Sequence, residues 1–231
     1  GPDGTYTVTI GGTLTQFGND SWGWTGSNKL TEAKSFGDVG LTSLSGAFHD
    51  ADNLTSVPAT LPSTVTNLRH LFRENDVSSV TNLSSWDVSS VTDMAAMFFD
   101  AGFFNQNITS WDVSSVTNMS NMFRDAMSFD QDLSSWTVSE VTNMFGMFWG
   151  ATSFNQNLNN WVVSSVTNMA RMFWGADAFN QDISSWDVTS VTDMSFMFNN
   201  ITLSTANYDA ILNGWAAQSV QNGVSFHAGN S

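Results

Sequence analysis

Two rows of side chains carry most of the chemistry this sequence can offer. The first is Asp87, Asp112, Thr137, Val162 and Asp187, which recur every 25 residues. Two positions after each come Ser89, Ser114, Ser139, Ser164 and Thr189. Carboxylates and hydroxyls on short stems, set out in line, can hydrogen-bond a sugar chain or an extended peptide. The second row is aromatic: Phe99, Trp149 and Trp174, with Phe145 on the same outward arc. Large rings turned to water mark an interface, either by stacking on sugar rings or by meeting another protein. Catalysis is short of parts. The three histidines, His49, His70 and His227, lie outside the regular repeats, and cysteine is absent. The carboxylates recur by column, as surface residues do, so the expectation is a protein that is not an enzyme. No cofactor is expected. Clusters such as Asp130-Gln131-Asp132 raise calcium, but equivalent positions hold asparagine (Asn105 and Asn107, Asn155 and Asn157), and a hard cation needs several charged oxygens in one loop.

The elements that must position these rows repeat. Trp86, Trp111, Trp136, Trp161 and Trp186 are 25 residues apart, and Val88, Val113, Val138, Val163 and Val188 follow them in register. Val-Thr pairs come next, from Val91-Thr92 to Val191-Thr192, then Met-x-x-Met-Phe, from Met94, Met97 and Phe98 to Met194, Met197 and Phe198. Further columns hold Ala101, Ala126, Ala151 and Ala176, then Phe104, Phe129, Phe154 and Phe179, then Gln106, Gln131, Gln156 and Gln181. Degenerate copies at Leu44, Ala47 and Phe48, and at Leu68, Leu71 and Phe72, bring the array to about seven units. Such a period means a solenoid, a propeller or an array. Within a unit, Met119, Met122, Phe123 and Ala126 fall at i, i+3, i+4 and i+7, which predicts a short helix capped by Thr117. Leu133-x-x-Trp136-x-Val138 predicts a short strand. Like side chains then stack on their copies at ~4.8 Å, the spacing of paired strands. The glutamine column is expected to be buried and to form an amide ladder through the stack, satisfying loop backbone groups.

The ends differ. Gly1-Pro2 resembles the scar of a cleaved tag. Residues 3–29 read as an N-terminal β cap, a hairpin of Tyr6, Val8 and Ile10, the Gly11-Gly12 turn and Leu14 to Phe17, with Trp22 and Trp24 covering the first coil. Residues 30–200 form the repeats. Residues 201–231 form a lid: a helix carrying Tyr208, Ile211, Leu212 and Trp215, started by Ser204 or Thr205, with Gly214 or Gly223 helping to end it or the loop beyond, and a short strand around Val224 to Phe226. The whole reads as an α/β leucine-rich-repeat-like right-handed solenoid, with short parallel strands on one face and short helices on the other. It reads as a piece of a longer chain and as a monomer.

Charge narrows the partners. Six Lys and Arg against 21 Asp and Glu give a net charge of −15. That repels phosphate backbones, so no nucleic-acid partner is expected, and no polybasic segment holds the chain on an anionic membrane. No apolar run approaches the ~20 residues of a membrane helix, so no direct membrane insertion is expected.

Val-Thr-Asn-Met-Ser-Asn-Met-Phe-Arg-Asp-Ala (116–126) and Phe-Asn-Gln-Asp-Ile-Ser-Ser-Trp-Asp-Val (179–188) resemble the repeat of the BspA-like bacterial surface proteins, atypical leucine-rich repeats, over roughly residues 30–200. Leu-Ser-Thr-Ala-Asn-Tyr-Asp-Ala-Ile-Leu-Asn-Gly-Trp (203–215) is similar to the segment that often ends such arrays. The Gly-Thr-Tyr-Thr-Val-Thr-Ile start (4–10) is similar to the last strand of an immunoglobulin-like module, which often precedes them. The resemblance implies a secreted or cell-surface adhesin domain that binds a glycan or an extracellular protein and contains no catalytic residues. In leucine-rich solenoids the strands line the concave face, which would put the Asp87 row there and the aromatic row on the convex side. A structural spacer is the alternative, and an ice-binding array or an enzyme the remote ones.

Overall fold

The computed structural model describes residues 12–19, 24–75, 77–78, 80–226 and 229. The expected hairpin at residues 6–10, Trp22 and His227 lie outside them. Leu14 to Phe17 are within, and Gln16 there forms a parallel bridge to Ser43.

That bridge is the first rung of a ladder. It runs on through Asn67, Asp93, Asn118, Asn143, Asn168 and Asp193, every rung parallel and one repeat from the last. Parallel pairing between residues one period apart places each repeat over its predecessor. The rungs are single bridges, and they fall in Val-Thr-x-Met. The expected strand at Leu-x-x-Trp-x-Val forms no bridge among the described residues. Its backbone is instead closed into turns within the coil, where Trp136 N–H donates to the Leu133 carbonyl and Val141 N–H to that of Val138. Extended backbone is confined to a few residues between such turns.

The helices expected over Met-x-x-Met-Phe are absent too. Segment 94–101 is three overlapping turns: Met97, Phe99 and Ala101 donate to the carbonyls of Met94, Ala96 and Phe98. The alternate donors cross to the next coil, Met94 to Asn118, Ala96 to Ser120, Phe98 to Met122 and Asp100 to Arg124. Two residue types produce this. Asp93 accepts through Oδ1 from the Ala95 N–H, and Asn118, Asn143, Asn168 and Asp193 do the same in their coils; this side-chain turn competes with a helix start. Then φ is positive at two fixed positions. One holds His70, Ala96, Asn121, Gly146, Arg171 and Phe196, and the other Asp50, Glu74, Asp100, Asp125, Gly150, Gly175 and Asn200. A positive φ at the third residue is what a type II turn requires, and it stops a helix wherever it falls. The i, i+3, i+4, i+7 spacing is thus met by a spiral of turns that points the same residues inward.

The core follows the columns. Phe48, Phe72, Phe98, Phe123, Phe148, Phe173 and Phe198 form one stack, with successive ring centroids 5.5, 5.7, 5.7, 5.7, 5.6 and 5.8 Å apart. Phe104, Phe129, Phe154 and Phe179 stack beside it, and all are buried. Each buried ring contributes roughly 1.5–3 kcal/mol over an exposed one. Trp86, Trp111, Trp136, Trp161 and Trp186 are buried as well, and the last four indole N–H groups donate back one coil: Trp111 to Leu83, Trp136 to Ile108, Trp161 to Leu133 and Trp186 to Leu158, at 2.9–3.3 Å. The indole therefore fills the core with no orphaned donor.

At the C-terminal end the described residues hold one α-helix, α1, Thr205–Ala216, with Ser204 as its N-cap accepting from the Asn207 N–H. Ile211 and Trp215 are buried. Gly214 lies inside α1 rather than at its end. A Cβ there would collide with the Ser184 carbonyl oxygen, so glycine is what lets the helix lie on the last coil. Phe226 then bridges Met194 in parallel. At the other end Trp24 donates to the Ala47 carbonyl over the first coil.

Candidate functional site

The aromatic row is built by the second positive-φ position of each turn spiral. From the second coil onward the residue just before it points away from the core, whereas in the first coil that residue, His49, is buried, and coil stacking sets successive copies side by side. The series is Arg73, Phe99, Arg124, Trp149, Trp174 and Asn199, all half-buried. Arg73 lies 4.7 Å from the Phe99 ring centre, Arg124 lies 4.9 Å from Phe99 and 3.7 Å from Trp149, and Trp149 stacks on Trp174 at 4.8 Å and 6°. Phe196 closes the run 5.7 Å from Trp174. Arg171 sits 5.4 Å from both tryptophans and 5.6 Å from Phe145. Cation–π attraction over each ring is worth about 0.5–2 kcal/mol.

This arrangement gathers three of the six Lys and Arg of the chain onto one stripe. Two of the guanidiniums are also paired: Arg73 with Glu74 at 2.9 Å and Arg124 with Asp125 at 3.2 Å. The ring faces are largely used within the stripe. Trp149 has Arg124 on one side and Trp174 on the other. What the stripe offers a ligand is therefore ring edges and guanidinium N–H groups. Of the three arginines, the sequence places Arg124 in the outward column of Phe99, Trp149, Trp174 and Asn199, whereas Arg73 and Arg171 each occupy a column that holds other residues elsewhere. Their signal was rarity, since cations in so acidic a chain are few enough to be placed individually.

The Asp87 row is exposed at Asp87, Asp112, Thr137, Val162 and Asp187, with Ser89, Ser114, Ser139, Ser164 and Thr189 half-buried behind. The carboxylates are already engaged. Asp87 accepts from the Ser89 N–H and hydroxyl, Asp112 from the Ser114 N–H, and Asp187 from the Thr189 N–H and hydroxyl. Hydrogen bonds from these hydroxyls and N–H groups hold all three carboxyls below the usual carboxylate range. They set the turn that leads into Val-Thr.

A third outward row went unread. Thr15, Thr42, Thr66, Thr92, Thr117, Thr142, Thr167 and Thr192 are exposed beside the ladder. Each later threonine donates its backbone N–H to the threonine carbonyl one coil before, as Thr142 does to Thr117. From Thr92 onward the hydroxyl donates to the same carbonyl, at 3.0–3.3 Å. The sequence reading made these residues helix caps. Their signal was the Val-Thr alternation itself, one β-branched residue in and the next out.

The glutamine column does make a ladder, at the surface. Asn105 Oδ1 accepts from the Asp130 N–H and from Gln131 Nε2, Asp130 Oδ1 from the Asn155 N–H and Gln156 Nε2, and Asn155 Oδ1 from the Asn180 N–H and Gln181 Nε2. Ser204 and Asn207 at the start of α1 cap it on Asn180. Asp130 is thus a ladder rung, and Asp132 accepts from the Ser134 N–H. Among the described residues no group of three or more His, Asp or Glu is placed to hold a metal ion. None of their helices is long and apolar enough to cross a membrane. Of the histidines, His49 is buried with Nε2 3.6 Å from Glu74, and His70 occupies a positive-φ turn position.

Residues 42–145 and 133–230 each match the family described as "Mycoplasma protein of unknown function, DUF285". The chain belongs to this family. The two matches cover every turn spiral from the coil of Ser43 onward and, in the second, α1. No curated protein and no solved structure matches the chain.

Proposed function

We propose that the chain is a non-catalytic extracellular binding module, a right-handed solenoid of the BspA-like kind built from turns and single parallel bridges, that docks a protein ligand on the Arg73–Phe196 stripe. The observation that carries this reading is the alternation of guanidinium and aromatic ring on one edge of a strongly acidic molecule. Arg and Trp are the residues that anchor protein interfaces. The stacking of Trp149 on Trp174 favours a protein over a glycan, because sugar recognition needs an open ring face. The self-satisfied carboxylates of the Asp87 row make that row the weaker candidate. The module would act on a secreted or cell-surface protein, with neither nucleic acid nor bilayer as its target.

The test is binding to arrays of extracellular proteins and of glycans, with Trp149→Ser and Trp174→Ser combined. Loss of a protein hit at unchanged stability supports the stripe. Survival of the hit sinks it, and a hit on glycans alone moves the ligand to sugar. A purely structural spacer is the second reading, favoured by the engagement of the Asp87 row with its own turns. It requires silence on both arrays.

A further inference from the structure

One buried column is alanine except at Asn75 and, in the last coil, at Ile201, and of these two Asn75 is the polar one. Ala51, Ala101, Ala126, Ala151 and Ala176 occupy it, and the coil between the first two holds Asn75, which is 1% exposed. Its Nδ2 donates to the Phe48 carbonyl at 2.7 Å, while its Oδ1 has no donor among the described residues. Beside this break lies a cavity of about 390 Å³ lined by Asn75, Asp52, Glu74, Asp100, Phe103 and Met127. Every charged group on it is a carboxylate, and the orphaned Asn75 atom is also an acceptor. The site therefore asks for a donor with positive charge. Its other wall breaks pattern too. Phe103 stands where other coils have Ser128, Ser153 and Ala178, and it and Met127 are 65% and 52% exposed.

We infer that this cavity receives a lysine or arginine side chain of a partner protein, its methylene stem against Phe103 and Met127 and its cationic head donating to Asp100 and to Asn75 Oδ1. Glu74 is already held by Arg73 at 2.9 Å and contributes charge rather than a free oxygen. Asp100 forms no ion pair among the described residues. Burial, and then the charges of Asp125 and Glu74, push its carboxyl above the usual range, which a bound cation would reverse. A long side chain with a charged tip suits a cavity with one apolar and one acidic wall, and the net charge of −15 draws basic partners in. The inference does not depend on the stripe, because none of these six residues belongs to it.

The experiment is a titration of the intact chain, followed by the Met127 methyl and Asn75 side-chain amide resonances. The probes are the N-acetyl methylamides of lysine and arginine, with norleucine as the uncharged control and calcium chloride as the competing cation. Saturable shifts with lysine or arginine, absent with norleucine, are expected. Asn75→Ala restores the residue of the other coils and so should fold, yet weaken binding about tenfold, in keeping with the loss of one hydrogen bond to a charged group. Phe103→Ser with Met127→Thr, again residues of neighbouring coils, should weaken it too. The inference is overturned by the absence of saturable shifts with either amide, by equal shifts with norleucine, or by undiminished affinity in Asn75→Ala. It is equally overturned if calcium alone saturates the site, or if Asp132 and Asp182 respond as strongly as Asn75.

Discussion

The inner and outer columns of this array obey different rules. Inside, a column is nearly one residue: five buried tryptophans, and seven phenylalanines from Phe48 to Phe198 stacked each on its own copy. Outside, the column one residue from that Phe series runs Arg73, Phe99, Arg124, Trp149, Trp174, Asn199. A buried side chain in a stack must match the shape of the residues above and below it, because interiors leave no room for misfit. An outward one need only tolerate its neighbours. The contrast teaches that variation in a repeat protein locates what the scaffold does not dictate. The stripe and the cavity at Asn75 both lie where the copies disagree.

The sharpest attempt to break this contrast is a deletion in the uniform set. Trp136→Ala, which also removes the bond to the Ile108 carbonyl, should cost about 3–5 kcal/mol in denaturant unfolding. A cost below ~1 kcal/mol would mean that the column is not a core. The next test separates turn spiral from helix by sign. At Gly175 φ is +64° and an added Cβ meets nothing within 4 Å, so Gly175→Ala should destabilise by about 1–2 kcal/mol through backbone strain alone. In a helix the same change would stabilise by roughly 0.5–1 kcal/mol. Gly150→Ala should cost more, because its Cβ would also collide with Asp125 Oδ1. On the outer set, Thr142→Val removes one hydroxyl bond at an exposed position, and urea midpoints should register about 0.5–1 kcal/mol or less. Smallest of all are the pH effects, and they differ in sign. The carboxyls of Asp87, Asp112, Asp132 and Asp187 are lowered by hydrogen bonds from Ser or Thr two residues on. They support the fold above the ordinary carboxyl range and lose that support as pH falls through their depressed values. Asp100, raised by burial and by Asp125 and Glu74, opposes folding when charged and ceases to as pH falls. Carboxyl-carbon titrations should put the first four below Asp100.

Much of this could be read from the letters. The period, the inward columns, the Ser204-capped helix and the amide ladder all follow from residue type and spacing. The local backbone did not. Met119, Met122, Phe123 and Ala126 satisfy a helical face, but Asn118 before them bends the chain through its own side chain, and Asn121 and Asp125 take positive φ. Asp, Asn and Gly before the alanine column were the legible sign, since these residues visit that conformation most readily. The strand was misplaced for a related reason. Trp-x-Val alternates as a strand does, but its backbone is closed into turns on either side, and pairing falls to Val-Thr. Arg73, Arg171 and Asn75 could not be weighed from spacing, because each is the exception in its column.

The interleaved amides of the turn spirals give the molecule a direction. On that face Met94, Ala96, Phe98 and Asp100 donate forward to the following coil, whereas on the threonine face Thr117 donates backward to Thr92. Opposite ends of the spiral are therefore chemically unlike: the first coil presents carbonyls, those of Ser43 and Ala47 being met by the Phe17 N–H and the Trp24 indole, and the last coil presents N–H groups. Stripped of α1 and the Phe226 bridge at the far end, and of the Gln16 bridge and Trp24 at the near end, one copy would complement the next. Growth would then proceed nose to tail into an open filament rather than a closed pair, which makes the two capping segments the elements that keep the array finite.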